Sequence, residues 1–241
     1  MSLPKPYYQD EAVTIYHGDC TEILPGLQKV DLVLTDPPYG INLQTAYRQR
    51  GRGRLADCNN YSLIQGDNKE FDPRFLLKNF KNVVLWGANY YPEHLPKSSG
   101  WLVWDKRRGR GVNDQADAEL AFTNFIKGVR VFTHEWNGFR RDSELGESYH
   151  PTQKPVDLIA WILSLKWTPK GIVCDPFMGS GSTLRAAKDL GRKAIGIEIE
   201  EEYCETAAHR MAQEILSLET DTCPSGDGQV TDGKTGKEWF V

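Results

Sequence analysis

The sequence predicts an α/β protein with a mostly parallel sheet, because short apolar segments alternate along the chain with amphipathic stretches. One apolar segment, residues 30–35 (VDLVLT), is nearly continuous, as strands buried on both faces are. With 241 residues, the chain has the length of one large domain and can bury a full core. These three observations together predict an α/β domain.

The individual elements follow from the same alternation. Strands are predicted over residues 12–16, 30–35, 82–86, 101–104, 172–174 and 194–197. Helices are predicted over residues 21–27, 155–167, 182–190 and 200–218. In the second of these helices, apolar side chains recur at helical spacing from Leu158 to Leu163, and Pro155 suits the first turn.

Two regions depart from this alternation. Residues 40–70 show no periodicity, and residues 105–150 contain only short possible strands. Long irregular segments inside a domain are usually functional or disordered. We therefore predict a single domain over residues 1–218 with a small insertion around 105–150. Residues 219–241 are rich in Gly, Thr, Asp and Ser, and this composition predicts a mobile tail.

Composition argues against several classes of protein. The five cysteines are irregularly spaced without a C-x-x-C pair, which argues against a disulfide framework or a zinc ribbon. The five histidines are scattered without the spacing of a metal site, so we predict no metal. No long apolar run or apolar leader is present, which argues against membrane spanning and secretion. A cytoplasmic protein is expected.

The charge is unevenly distributed. The chain carries a formal net charge of −4, but residues 198–241 hold 11 of the 33 acidic and 3 of the 29 basic residues. The remaining 197 residues are therefore weakly basic, with 26 basic against 22 acidic side chains. Two basic clusters consist of Arg48, Arg50, Arg52 and Arg54, and of Lys106, Arg107, Arg108 and Arg110. Such clusters favour contact with nucleic-acid phosphates, although a solvated surface is the alternative interpretation.

The segment 175–183 (DPFMGSGST) directly follows a predicted strand and opens a predicted helix. Its two glycines allow a ligand to approach the backbone, and we expect free amide groups at the helix start. A Walker A loop is excluded because no lysine follows the glycines, and Leu184 leaves a dinucleotide fingerprint incomplete. Glu198 ends the next strand, where a carboxylate can bind a ribose diol. An adenosine-containing cofactor is favoured over a simple glycine-rich turn.

The segment 36–39 (DPPY) directly follows the apolar strand 30–35, at a position where open α/β sheets bind ligands. Asp36 supplies an acceptor, the prolines contribute no amide donors, and Tyr39 offers a stacking face. The double proline could also serve only as a rigid strand terminator. As a site, the segment suits a planar base that carries an amino group.

Together, DPPY, the DPFMGSGST loop and HPTQKP at 150–155 resemble the DNA amino-methyltransferases, which use S-adenosylmethionine to methylate adenine N6 or cytosine N4. The DPPY segment precedes the glycine loop, as in the circularly permuted beta class. WGANYY at 86–91 and WDKR at 104–107 are similar to segments of compact, phage-type members. The resemblance covers roughly residues 13–211 and implies a Rossmann-like, doubly wound, mostly parallel seven-stranded methyltransferase sheet.

The resemblance also implies roles for individual residues. Asp36 and a backbone carbonyl of Pro37 or Pro38 would accept hydrogen bonds from the target amino group, and Tyr39 would stack on a flipped-out base. Glu198 would hold the ribose, and Asp19 would contact the adenine of the cofactor, although it could equally cap the helix that follows. The remaining cofactor residues would be Thr152, Asp175, Phe177, Gly179, Gly181 and Thr183.

The resemblance implies a site-specific methyltransferase of restriction–modification type that transfers a methyl group directly to adenine N6 in double-stranded DNA. Methylation of cytosine N4 is the first alternative, since DPPY in related enzymes favours adenine as the target but does not exclude cytosine. An RNA or protein amide methyltransferase and a DNA-binding module without turnover are further alternatives. Cytosine C5 chemistry is excluded because no cysteine follows a proline. Residues 105–150 would recognise the target, and a homodimer is expected from related enzymes.

Overall fold

The computed structural model describes residues 3–27, 29–42, 65–109, 116–137, 140–144, 149 and 152–213. The strands are β1 (Tyr8–Gln9), β2 (Val13–His17), β3 (Leu32–Thr35), β4 (Val83–Trp86), β5 (Trp101–Asp105), β6 (Ala118–Thr123), β7 (Val129–Thr133), β8 (Trp136–Asn137), β9 (Arg140–Arg141), β10 (Val173–Asp175) and β11 (Ala194–Glu198). The α-helices are α1 (Cys20–Ile23), α2 (Arg74–Asn79), α3 (Val156–Ser164), α4 (Ser182–Asp189) and α5 (Glu201–Ala212). The predicted α/β class is confirmed.

One large sheet organises the molecule, with strand order β1-β2-β11-β10-β3-β4-β6-β5-β7. The five strands from β2 to β4 in this order are mutually parallel, whereas β6 is antiparallel to both of its neighbours. The sheet has nine strands rather than the expected seven, since the two-residue β1 and the strand β7 extend its two edges. β8 and β9 form a separate ribbon.

The central strands are buried on both faces, as the apolar run at 30–35 predicts. Within β3, Leu32 and Leu34 pack into one apolar layer and Val33 packs into the other. Helices α3, α4 and α5 cover the first layer, and α1 and α2 contribute to the second. Burying one such aliphatic side chain contributes about 1.5–3 kcal/mol, so these layers fix the sheet that carries the loops.

The predicted boundaries of the strands and helices agree with the structure to within a few residues, except for the first and the last predicted helix. The first helix ends at Ile23 and continues as a 3-10 turn over Leu24–Gly26, where Pro25 cannot extend the α-helical hydrogen bonding. α5 is described as far as its cap at residue 213, so its predicted extension to 218 and the tail 219–241 lie outside the described residues. Within the described part of the chain, every helix is too short or too polar to cross a membrane.

Candidate active site

Carboxylates cluster where four neighbouring strands end. Asp36 follows β3, Asp175 ends β10, Glu198 ends β11 and Asp19 follows β2. The chain leaves β10 through α4 towards β11, whereas β3 lies on the opposite side of β10, which makes the end of β10 a topological switch point. Ligands of open α/β sheets bind at such points. Two cavities, of about 380 and 50 Å³, lie here, and Phe177 lines both.

The larger cavity combines aromatic rings with charged side chains. Its lining includes three phenylalanines, four carboxylates and one ammonium group: Phe71, Phe75, Phe177, Asp19, Glu70, Asp72, Glu198 and Lys69. Its volume lies within the range of small-molecule sites, which are mostly apolar with a few placed polar groups. The cavity therefore suits a flat, apolar ring joined to a group that donates hydrogen bonds.

Glu198 is held almost entirely by the backbone. Its Oε2 accepts from the Gly179 amide at 2.9 Å, and its Oε1 accepts from the Ile199 and Glu200 amides at 2.8 and 2.9 Å. Burial raises the pKa of Glu198, and these amide bonds oppose the rise. One lone pair remains on Oε2, which can accept a hydroxyl donor such as that of a ribose.

Asp19 combines the two roles that its sequence position allows. Its Oδ1 accepts from the Thr21 amide and hydroxyl, each at 2.7 Å, so Asp19 is the N-cap of α1. Both contacts use the same oxygen, and the residue also lines the larger cavity. Capping and ligand contact are therefore compatible.

The glycine loop uses two of its amides within the protein. The Gly179 amide donates to Glu198 and the Gly181 amide donates to the Met178 carbonyl at 2.9 Å. Neither glycine amide is therefore available to a ligand, because the loop uses these donors to hold its own shape; free amides at the helix start, from Ser182 onward, stay a prediction. Gly181 has a φ of 81°, and a Cβ there would lie 3.0 Å from Ala207 of α5, so this glycine allows the turn and the close helix packing.

The smaller cavity contains Asp175 together with Thr152 and Thr183. Asp175 Oδ1 accepts from the Thr35 hydroxyl at 2.6 Å and from the Phe177 amide at 3.1 Å. Burial raises the pKa of Asp175 to about 6 despite these hydrogen bonds. The cavity thus suits a polar group and shares the lining residue Phe177 with the aromatic one.

A buried arginine joins the glycine loop to the segment before α3. Arg210 of α5 donates to the Ser180 carbonyl at 2.7 Å and pairs with Glu144 at 3.1 Å. Glu144 also accepts from Gln153 at 2.8 Å and from the Val156 amide at 3.0 Å. Sequence reasoning missed Arg210 and Glu144, since the first fits an ordinary helix pattern and the second lies in an irregular segment.

Asp36 lies beside the smaller cavity with both carboxylate oxygens engaged. The Tyr39 hydroxyl donates to Oδ1, and the Lys154 ammonium donates to Oδ2. The Tyr39 ring stacks on Tyr90, with centroids 4.9 Å apart and planes 14° apart. Gly87 has a φ of 69°, and a Cβ there would lie 1.9 Å from the Tyr39 ring, so only glycine admits this placement. Asp36 and Tyr39 therefore form one unit.

Lys154 links Asp36 to a second carboxylate. Its Nζ lies 3.1 Å from Glu119 Oε2, and Lys106 Nζ lies 2.7 Å from Glu119 Oε1. Although burial raises the pKa of Glu119, the two ammonium groups outweigh it and lower this pKa to about 2. Sequence reasoning missed both Glu119 and Lys154 as individual site residues, and only the position of Lys154 within HPTQKP gave a signal.

The other predicted residues fall into three groups. Pro37 is buried behind Asp36, and Pro38 lines the larger cavity. Lys106, Arg107 and Arg108 pair with Glu119, Asp117 and Asp142 respectively. Of these three, Arg108 has the most exposed side chain, at 45%, and is best placed to meet a phosphate. The predicted DNA contacts Arg48, Arg50, Arg52, Arg54 and Arg110 lie outside the described residues.

Comparison with known proteins links this geometry to one kind of enzyme. The sequence pattern of a family described as DNA methylase, of N6/N4 type, matches residues 103–209. The type II methyltransferase M2.LlaDCHI of Lactococcus lactis subsp. cremoris is 25% identical, and the match covers 87% of this chain and 93% of the relative. The type II methyltransferase M.ScaI of Streptomyces caespitosus is 26% identical, with coverages of 90% and 87%.

Similarity to solved structures concerns the fold. The cytosine-N4-specific PvuII DNA methyltransferase matches with a TM-score of 0.59 and 17% identity, over 88% of this chain and 91% of that structure. At this identity the match supports the Rossmann-like arrangement of the sheet and helices.

Proposed function

We propose that this chain, a DNA methyltransferase that acts on adenine N6 or cytosine N4, transfers the methyl group of S-adenosylmethionine to adenine N6 in double-stranded DNA. The observation that carries the proposal is the position of Asp36. It lines the smaller cavity, which shares the lining residue Phe177 with the adenosine-sized cavity at Glu198. An acceptor for an amino group thus lies next to the position expected for the methyl group of the cofactor.

The residues of the two cavities fit S-adenosylmethionine. Phe71 and Phe177 suit the adenine, and the remaining lone pair of Glu198 suits a ribose hydroxyl. Asp175, Thr152 and Thr183 in the smaller cavity offer partners for the charged ends of an amino acid. When bound, S-adenosylmethionine supplies a methyl group that its positively charged sulfur makes electrophilic.

The chain's own residues then determine how the amino group reacts. Asp36 accepts a hydrogen bond from the amino group of a base flipped out of the duplex, which draws electron density onto the nitrogen. With S-adenosylmethionine bound, its sulfur would keep the electrons of the carbon–sulfur bond as the amino nitrogen took the methyl group, and Asp36 would take up the proton that the nitrogen then loses. Burial raises the pKa of Asp36, which suits a carboxylate that takes up this proton. Transfer is direct, without a covalent intermediate on the protein.

The chain order supports a circularly permuted, beta-class arrangement as part of this proposal. β3, which leads to Asp36, precedes β10, which leads to the glycine loop, and the two strands are parallel neighbours. A cytoplasmic location also belongs to the proposal, since the cysteines of the described residues, Cys20, Cys174 and Cys204, are free thiols. A homodimer and a phage-type lineage stay predictions of the sequence.

The decisive experiment incubates the purified chain with DNA and isotopically labelled S-adenosylmethionine, followed by digestion to nucleosides and mass measurement. We expect labelled N6-methyladenine, with none in a reaction that lacks the methyl donor. Labelled N4-methylcytosine alone would overturn the choice of adenine. Label that enters RNA in preference to DNA in a competition assay would contradict DNA as the substrate.

A further inference from the structure

The hydrogen bonds that Asp36 already accepts limit what it can offer to the amino group of an incoming base. Its Oδ1 accepts from Tyr39 and its Oδ2 accepts from the charged Lys154. Each oxygen retains one lone pair, but the positive charge of the ammonium offsets the negative charge of the carboxylate. A bound amino group therefore gains little electron density from Asp36 while Lys154 stays in place, so withdrawal of Lys154 would strengthen the acceptor.

Lys154 is the donor that can move. The Tyr39 ring is fixed between Tyr90 and the backbone at Gly87, as described above. Lys154 has a flexible side chain, and its ammonium already lies 3.1 Å from a second anion, Glu119 Oε2. A short shift of Nζ from Asp36 towards Glu119 needs no change in the backbone.

Glu119 offers an acceptor for this shift. Within the described part of the chain, Glu119 Oε2 is buried and lies 3.1 Å from the Lys154 ammonium, short of good hydrogen-bond geometry, while its other oxygen accepts from Lys106. Burial makes a well-formed hydrogen bond at this oxygen favourable. Lys154 is the donor within reach.

The charges of this cluster balance in both positions of Lys154. Two carboxylates, Asp36 and Glu119, face two ammonium groups, Lys106 and Lys154. Breaking a buried pair by leaving one charge unpartnered is strongly unfavourable. A shift from Asp36 to Glu119 keeps Lys154 paired throughout, and the amino group takes its place at Asp36.

We propose that Glu119 is a positioning residue for methyl transfer, which receives the Lys154 ammonium when the target amino group displaces it from Asp36. This inference rests on the proposed function and adds to it a role for two residues outside the predicted site. Glu119 acts through Lys154 and Asp36 and is not itself expected to touch the base.

The test compares the wild-type chain with Glu119→Gln, which keeps the shape of the side chain and removes its charge. Glu202→Gln, on an exposed position of α5, is the matched control. We expect Glu119→Gln to melt below the wild type, because Lys106 loses its carboxylate partner, but to fold and bind S-adenosylmethionine. Its kcat on DNA near pH 7.5, taken per cofactor-binding site, should fall at least about tenfold. Glu202→Gln should retain wild-type kcat.

The pH profile separates this role from a structural one. Burial lowers the pKa of Lys154, but the Asp36 and Glu119 carboxylates outweigh it and raise this pKa above its usual value. Without Glu119 the pKa of Lys154 falls, so the lysine becomes neutral at lower pH and releases Asp36. The kcat of Glu119→Gln should therefore recover towards that of the wild type as pH rises above 7.5.

The other titratable groups around Lys154 do not produce this recovery. They are Asp36 and Tyr39 after β3, Glu119 on β6, Lys106 beyond Glu119 and Asp175 beyond Asp36. Burial raises the pKa of Tyr39 well above its usual value, so its hydroxyl stays neutral over the range tested. Asp175, whose pKa is about 6, is already ionised there.

A double substitution provides a second readout. Lys154→Met removes the competing ammonium, so adding it to Glu119→Gln should raise kcat above that of Glu119→Gln alone. Wild-type kcat in Glu119→Gln, or a loss that is independent of pH and unrelieved by Lys154→Met, would overturn the inference while leaving the proposed function intact. A wild-type chain that methylates no DNA would instead contradict the proposed function, and the inference with it.

Discussion

The two halves of the candidate site hold their carboxylates in different ways. In the cofactor half, defined by Asp19, Asp175 and Glu198, backbone amides make most of the contacts, three of them to Glu198. In the base half, defined by Asp36, Glu119 and the side chains bonded to them, the contacts come from hydroxyl and ammonium groups. A backbone donor moves only if its loop moves, whereas a lysine moves by side-chain rotation.

This difference matches what each half is proposed to do. A cofactor site gains from a fixed shape, and the Arg210 link from α5 to Ser180 adds to that shape. A base site must exchange one set of hydrogen bonds for another each time a base enters. The comparison predicts that substitutions in the cofactor half change affinity or stability, and that substitutions in the base half change turnover.

The largest effect is expected for Asp36→Ala. Removing the acceptor for the amino group should lower kcat by about 10²–10⁴-fold, which is the contribution of a positioned acid or base. Lys154 keeps Glu119 as a partner in this variant, so the fold and the affinity for S-adenosylmethionine should persist. Labelled methyl transfer and calorimetric cofactor binding measure the two quantities. Unchanged methyl transfer would contradict the role of Asp36. Asp189→Ala, on the exposed end of α4, is the control.

Asp175→Asn should change stability rather than turnover alone. The pKa of Asp175 is about 6 in the folded chain against 3.8 without the fold, so the folded state binds more protons between these values. The wild type should therefore lose up to about 3 kcal/mol of unfolding free energy, relative to Asp175→Asn, as pH rises from 4 to 7. Denaturant unfolding of both chains at several pH values measures this difference. If the unfolding free energies of the two chains changed with pH in parallel, the raised pKa of Asp175 would be contradicted.

Glu198→Gln should weaken cofactor binding. The glutamine side chain carries no negative charge, and its NH₂ group would face backbone amides that are also donors. We expect this to weaken cofactor binding by about 2 kcal/mol, or about 30-fold in Kd. At saturating S-adenosylmethionine the kcat should change little, because the base half is intact. Titration calorimetry gives Kd, and Glu202→Gln again serves as the control. A large fall in kcat with normal Kd would reverse the assignment of the two halves.

The smallest effect is expected for Tyr39→Phe. The ring keeps its stack on Tyr90, and only the hydroxyl bond to Asp36 is lost. One such hydrogen bond contributes about 1 kcal/mol, so kcat should fall about fivefold with the Kd for S-adenosylmethionine unchanged. Steady-state kinetics on a DNA substrate measures this, with the exposed Tyr7→Phe alongside. A fall as large as that of Asp36→Ala would show that the hydroxyl does more than orient Asp36.

The same comparison explains how far the sequence could predict the site. The cofactor half is nearly continuous in the chain, since one strand, one loop, one helix and the next strand contain Asp175, Gly179 and Glu198. The local pattern therefore indicates which residues meet. The base half joins Asp36 to Lys154, which lies 118 positions away, and to Glu119 on an antiparallel strand.

No local pattern marks a contact that only the sheet order creates. The basic cluster shows the same limit, because the carboxylates Asp117 and Asp142 that pair with Arg107 and Arg108 come from other segments. Element positions were predictable because apolar periodicity is local. The strand β6 and the edge strand β7 were not, since they lie in a region without clear alternation.

The charges around the larger cavity bear on which adenosine compounds can compete for it. Phosphate sites present amides to their ligand, but the Gly179 and Gly181 amides of the neighbouring loop bind the protein itself. Asp19, Glu70, Asp72 and Glu198 line the cavity with one ammonium group, that of Lys69, so the lining favours cations over anions. Cells contain abundant ATP and related phosphorylated nucleotides, which would fill a cavity that recognised adenosine alone. A lining with more carboxylates than ammonium groups disfavours these competitors by charge and suits a sulfonium.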